Sequence, residues 1–285
     1  MRVLRRVVSF LLIALVLAAA GLWVNWQLAT PSHDRAWRAD HSRLPTATET
    51  GGAWALTDIR DWSYGTDGSA AEQIWIDATL DPGQLVQACF VLEPFGEAAA
   101  IAHTMLAFEF ADGRTYVASV EARREDGESY SAPKAAILPI FEYMVVWTTD
   151  RDMWGNSEFW AGDQLYRYPL AIPLDQQQAV LGAMLTHTAA LQDQPRFYNT
   201  LFSNCTNVLA RSVNDIAPGA VPWHPAWHLP GHADDFLFGK GLIGGADTLE
   251  AARAAGHLSP HIPAAYALRD PAAFSRAINA ALGAP

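Results

Sequence analysis

The chain has 285 residues, 51% of them apolar with 11 Trp, and a net charge of −11 from 19 Lys and Arg against 30 Asp and Glu. That charge argues against nucleic acid as a partner and supplies no basic patch for anionic lipid. The apolar content points to a filled core and excludes a disordered chain.

Three arginines, Arg2, Arg5 and Arg6, precede an uncharged run from Val7 to Val24. The run is close to the roughly 20 residues a helix needs to cross a bilayer. Trp23 and Trp26 follow at its far end, where an indole suits the interface. The basic flank predicts that residues 1–6 stay in the cytoplasm, that 7–28 form a transmembrane signal anchor, and that the rest lies outside, in a bacterium the periplasm. A cleaved signal peptide is the competing reading, because the "LAAAG" stretch offers small residues. The apolar core is longer than the usual 7–15 residue h-region, which favours an uncleaved anchor.

Residues 29–50 are polar and read as a linker. Residues 51–217 read as an α+β domain, and 218–285 as a Pro, Trp and His-rich wrap with helices at its end. Alternating apolar residues predict strands in "ALTDIRDWSYG", "AEQIWIDATL", "LVQACFVLEPF", "FEYMVVWTTDR" and "DQLYRYPLAIPL". The clearest hairpin runs through "AHTMLAFEF" and "TYVASVEARRE" around Ala111-Asp112-Gly113. A three-residue loop with Gly last suits a type I turn closed by a left-handed residue. That loop sets Phe110 opposite Arg114 and, counting outward, His103 opposite Glu121, on one face of the sheet. A two-residue loop would turn Glu121 to the other face. The small-residue run Ala98–Ala100 just before His103 leaves room for a pocket. "LDQQQAVLGAMLTHTAALQ" predicts a helix with Val180, Leu181, Met184, Leu185 and Leu191 on one face and a capping box from Asp175 and Gln178. A second helix starts near Ser203 or Asn204, presents Val208, Leu209, Val213 and Ile216, and ends before Pro218. Beyond it "PGAVPWHPAWHLPGHADDFLFGKGLIGGAD" reads as an extended segment. Two short helices follow, the last capped by Asp270 with Pro271 in its first turn.

Cys205 opens the second helix among polar residues. A helix N-terminus stabilises thiolate over thiol and offers N–H groups to an oxyanion. His103 is the best-placed base of the nine histidines, and Glu121 could fix its tautomer. The plain alternative is a half-buried structural Cys with a His satisfied by backbone. A Cys89–Cys205 disulfide is a further alternative, although Cys89 sits in an apolar strand where a buried free thiol is ordinary. "NCT" also fits an N-glycosylation acceptor at Asn204, in a place where a sugar fits poorly. His224, His228 and His232 recur every four residues, but Pro225 and Pro230 break the helix a zinc site would need. "GKGLIG" fits GxGxxG without a strand before it. No metal or other cofactor is expected.

The segments "AHTMLAFEFADG", "SVEARREDGESYS", "FEY" with "TTDRD", "LYRYPL", "PRFYNTLFSNCTNVLA" and the tail to "FLFGKGLI" occur in that order. Together, over roughly residues 31–245, they resemble the bacterial Lnb N-terminal periplasmic domain family. The hallmark His and Asn-Cys-Thr motif of that family match His103 and Asn204-Cys205-Thr206. One departure is that Met153–Asp163 lacks an Arg expected there, which bears on how a substrate anion would be held. The order of His strand, acidic strand and Cys helix is similar to the permuted papain-like hydrolases and acyltransferases. That likeness implies an antiparallel sheet packed on the Cys-bearing helix, with Cys205 as nucleophile, His103 as base and Glu121 as orienter. The Cys205 N–H and the Asn204 side chain would hold the oxyanion. The implied activity is thiol-dependent hydrolysis or acyl transfer at an amide or ester bond of a cell-envelope peptide, lipoprotein or lipid, on an inner-membrane anchor. The alternative is a non-enzymatic module assisting the folding or assembly of an envelope protein. Arg123 and Arg124, just past Glu121, read as a solvated strand end or as contacts to an anionic substrate.

Overall fold

The structure, a computed structural model, describes residues 2–96 and 100–283. Met1 of the basic flank, part of the small-residue run before His103, and the last two residues of the C-terminal segment lie outside the described residues. Helix α1 (Arg2–Leu28) has no buried residue and a mean hydropathy of 2.7 over its most apolar window. It is the one helix among the described residues that is long and apolar enough to cross a membrane.

The chain then forms β1 (Thr46–Thr50), β2 (Ala53–Arg60), β3 (Ser63–Tyr64), β4 (Ala70–Glu72), β5 (Trp75–Leu80), β6 (Leu85–Pro94), β7 (Ala102–Phe110) and β8 (Thr115–Arg123). After α2 (Ala132–Ile137) come β9 (Glu142–Thr149), α3 (Asp150–Gly155) and β10 (Tyr166–Pro169). The helices α4 (Leu174–Asp193), α5 (Cys205–Ile216), α6 (Ala233–Gly239), α7 (Leu249–Gly256), α8 (Ile262–Ala265) and α9 (Pro271–Ala281) complete it. The main sheet runs β1-β2-β9-β8-β7-β6-β10, with β5 on β2, and every pairing is antiparallel except β2 with β9. This is the expected α+β architecture, with the antiparallel sheet packed on the Cys-bearing helix.

The central strands are buried on both faces; all eight residues of β9 are inside. One face carries Leu106, Phe108, Val120 and Trp147 and is covered by α4 and α5 through Leu181, Met184, Leu185, Val208 and Leu209. Trp147 stacks on Phe108 and donates its indole N–H to Thr188 at 2.9 Å, which ties α4 to the sheet. The other face carries Cys89, Met105, Ala107 and Val117 beneath α3, α8 and α9, through Trp154, Ile262, Phe274 and Ile278.

The hairpin turn is the expected one. Gly113 has φ +86°, and Phe110 exchanges backbone hydrogen bonds with Gly113 and Arg114. The predicted apolar face of α4 is buried throughout. On α5 Val208 and Leu209 are buried, Val213 is half-buried and Ile216 is exposed at the helix end.

Several expectations are corrected. Helix α4 starts at Leu174 after Pro173 with no side-chain cap, so Asp175 and Gln178 form no capping box. Part of the segment read as a linker is the edge strand β1, and Asp40 and His41 just before it are buried. Arg123 is no solvated strand end: it is 2% exposed, lies 4.2 Å from the Trp37 ring and donates to the His41 carbonyl. The segment after Pro218 contains short helical turns and α6; Pro225 and Pro230 each open a turn, where a missing N–H costs nothing.

Leu181 is fully buried between α4 and the sheet. Leu181→Ala should therefore lower unfolding stability by about 2–5 kcal/mol. Val86→Thr, at a position 55% exposed, should change it by no more than about 0.5 kcal/mol. Urea denaturation of the detergent-solubilised chain followed by circular dichroism checks both.

Candidate functional site

The pairing of β7 with β8 ends early. It runs from Glu109↔Thr115 to Met105↔Ser119 and stops. Beyond that point β7 stays with β6 up to Ala102↔Pro94, and β8 stays with β9 up to Arg123↔Glu142. The sheet thus parts between the two strands, and His103 and Glu121 stand on either side of the parting.

Even-numbered residues of β7 aim their backbone groups at β8, as the Phe110 N–H to Arg114 carbonyl bond of 2.9 Å illustrates. By that count the Thr104 N–H would meet Val120 had pairing continued. Instead Thr104, through its N–H and hydroxyl, helps to lower the Cys205 thiol. Helix α5 packs on the face of Leu106 and Val120, whereas His103, Ser119 and Glu121 share the opposite face with Met105 and Val117, so the parting is where Cys205 and His103 act on one another.

On that face the imidazole is tightly held. His103 Nε2 lies 2.5 Å from Ser119 Oγ and 3.0 Å from Glu121 Oε1, and Ser119 donates its hydroxyl to Glu121 at 2.6 Å. Nε2 is therefore committed to Ser119 and Glu121. Glu93, buried, is the cross-strand neighbour of His103 on β6.

The electrostatics follow from this packing. Burial alone would push the Cys205 thiol up, but the His103 charge and the hydrogen bonds from His103 and Thr104 bring it down to about 7. Burial disfavours the imidazolium, and Glu121 and Cys205 outweigh that, holding His103 well above the ordinary histidine range. Burial would raise Glu121, and the charge and hydrogen bond of His103 hold it below the usual carboxylate range. With the thiol at about 7 and the imidazole above its ordinary range, a thiolate–imidazolium pair backed by a carboxylate is accessible near neutral pH.

Asn204 has another job than the one expected of it. Its Oδ1 accepts from the Asn207 N–H at 2.7 Å, which caps α5, and from Asn207 Nδ2 at 2.8 Å. Its own Nδ2 donates to the carbonyls of Thr200 and Trp227 at 2.8 and 2.9 Å. Both amide hydrogens are spent, so none is left for an oxyanion, and at 3% exposure the side chain has no room for a sugar. Among the described residues the N–H groups of Cys205 and Thr206 have no protein acceptor, while the Val208 N–H returns to the Asn204 carbonyl.

An apolar cavity of about 180 Å³ lies between the sheet, α4, α5 and α6; Thr206, the residue after Cys205, lines it, and Cys205 itself does not. Phe90, Leu106, Val180, Leu209 and Trp227 form its walls, and Thr104 and Thr206 form the end next to Cys205. The Thr206 hydroxyl is 3.1 Å from that of Thr104 and 3.9 Å from Cys205 Sγ.

Cys89 is a free thiol like Cys205, on the face of the sheet away from α5, and burial pushes it up to about 12. His224 stacks on Phe236 and accepts from the Ala226 N–H, and His228 accepts from the Trp223 indole. Among the described residues no three His, Cys, Asp or Glu side chains cluster as a metal site. Thr104 and Ser119 escaped the reading of the sequence. Ser119 was detectable, two residues before Glu121 and so on its face; the role of Thr104 depends on the parting of the strands, which no local pattern announces.

These features define an α+β protein whose Cys-bearing helix abuts a parted antiparallel sheet, with an N-terminal helix fit to cross a membrane. The chain belongs to the Lnb N-terminal periplasmic domain family, whose sequence profile matches residues 71–229, more than half of its length. The match takes in His103, Thr104, Ser119, Glu121 and Cys205. No curated protein and no solved structure matches the chain.

Two outcomes follow. Iodoacetamide alkylation of Cys205, followed by mass spectrometry against pH, should show a midpoint at about 7. In His103→Ala only Thr104 still opposes burial, so the midpoint should rise well above 7, toward or past the free-thiol value of about 8.5. The Glu121 carboxylate is depressed in the folded state, so its contribution to stability is full above its unfolded value of about 4.3 and is lost as pH falls through its lower folded value. The stability gap between wild type and Glu121→Gln, read from urea midpoints, should therefore be widest above that pH and shrink below it.

Proposed function

We propose that the domain is a thiol-dependent acyl-transfer enzyme of the cell envelope, held in the inner membrane by α1 with its catalytic part in the periplasm. The observation that carries this reading is Cys205 at the start of α5 with His103 held by Glu121, next to Thr104 and Thr206 at one end of an apolar cavity. An isolated apolar cavity of about 150 Å³ stays dry and takes up a hydrocarbon ligand. The cavity that Thr206 lines, similar in size, suits part of an acyl chain whose carbonyl rests at the sulphur. Among the envelope substrates, this favours lipids and lipoproteins over peptidoglycan peptides.

In this mechanism the Cys205 thiolate attacks the carbonyl carbon of an acyl ester or amide and a C–S bond forms. The N–H groups of Cys205 and Thr206, at the positive end of α5, receive the oxyanion. The intermediate collapses, the C–O or C–N bond breaks, and the imidazolium of His103 gives its proton to the leaving group. Cys205 is left as a thioester. An incoming amine, alcohol or water then attacks that carbonyl while His103 takes its proton, the C–S bond breaks, and the thiolate returns. Glu121, reinforced by Ser119, keeps the imidazole turned toward the thiol throughout. Asn204 positions the helix start. The order of the elements fits a permuted papain-like arrangement. A passive folding or assembly module would have no use for a thiol lowered to about 7 beside an oriented imidazole.

Detergent-solubilised full-length chain, incubated with bacterial phospholipid and lipoprotein and followed by intact-mass analysis, should acquire an acyl adduct on Cys205 that neutral hydroxylamine removes. Cys205→Ala should acquire none, and His103→Ala should form it slower by about 10²–10⁴-fold. Acylation that persists in Cys205→Ala, or no adduct on the wild type with either substrate, would sink the proposal.

A further inference from the structure

The end of α1 does not hang free of the domain. The Trp26 indole donates to the Ile137 carbonyl at 2.8 Å, and its ring meets Phe197 edge-on with centroids 6.0 Å apart. Trp26, Phe197, Phe202 and Ser203 line a common hollow. Around this joint the domain exposes large apolar side chains: Ile137 is 52% exposed, Leu201 42% and Phe202 63%. Leu201 and Phe202 lie in the turn held by the Asn199 side chain, which accepts from both of their N–H groups, so the pair is presented outward on a braced loop. The Arg211 guanidinium donates to the Phe202 carbonyl and keeps a cation at the rim of the patch.

We infer that the loop carrying Leu201 and Phe202, with Ile137 beside it, is a second membrane contact that seats the domain in the headgroup region of the bilayer that α1 crosses. The joint sets the depth. Trp26 lies in the last turn of α1, where the apolar run has ended and an indole prefers the interface. Whatever packs against Trp26 shares that level. Exposed Phe and Leu are favourable there and unfavourable in water, and an arginine at the rim can extend to lipid phosphates. The bilayer is the occupant the structure specifies, because the patch is continuous with the segment that enters it. Cys205 follows Phe202 by three residues, so seating brings the thiol to the level of lipid ester groups. That last consequence rests on the proposed acyl transfer; the seating itself does not.

The test uses the full-length chain in phosphatidylethanolamine–phosphatidylglycerol vesicles, with the photoreactive residue p-benzoylphenylalanine at Phe202, at Leu201 or at Val86. Val86 is similarly exposed but lies at the hairpin end of β6, remote from the parted end of the sheet. Irradiation and mass spectrometry should give a several-fold excess of phospholipid adducts at positions 202 and 201 over position 86. Equal labelling at all three positions, or cross-linking of positions 202 and 201 into a second copy of the chain, would overturn the seating. Because the readout is a lipid adduct, it is independent of turnover: a chain that labels at 202 yet never acylates Cys205 would refute the enzyme and keep the surface. In a second arm, Phe202→Asp should cut phospholipid labelling from position 201 several-fold while leaving the pH midpoint of Cys205 alkylation unchanged. Undiminished labelling there would count against the seating.

Discussion

The release of β8 from β7 after Met105↔Ser119 is the constraint on which the site depends. A continuous sheet would spend the Thr104 N–H on Val120 and put a wall between α5 and His103. With the strands parted, Thr104 and His103 both act on the Cys205 thiol and lower it.

The two halves of the site stand on different supports. His103, Ser119 and Glu121 belong to a hairpin whose register is fixed by a tight turn and by an apolar face that cannot shift by one residue without exposing its core. Cys205 belongs to α5, whose start is clamped by Asn204 and Asn207, both bound to the Trp227 carbonyl. The short helical turns after Pro218 thereby help to fix Cys205 from behind. This gives the Pro and Trp-rich tail a place in the site although none of its residues touches the sulphur.

Much of this was legible in the sequence. The turn at Ala111-Asp112-Gly113 set the register, and the register set His103 against Glu121. The apolar spacing of α4 and α5 gave their buried faces, and Asn204 announced the start of α5. What could not be read had non-local causes. Asn204 looked like an oxyanion donor because its partners, Thr200 and Trp227, are neighbours only after folding. Arg123 looked solvated because the chain that buries it, Trp37 to His41, was taken for a linker. Thr104 had no signature, since its importance comes from a hydrogen bond that its strand fails to make with β8.

The hydroxyls of Thr104 and Thr206 touch across a sequence separation of 102 residues. Contacts of such separation carry a large loop-closure entropy. Until the domain closes, the Cys205 thiol is an ordinary one, mostly protonated at neutral pH. Its lowered value therefore belongs to the folded domain alone, and an unfolded chain presents no activated thiol.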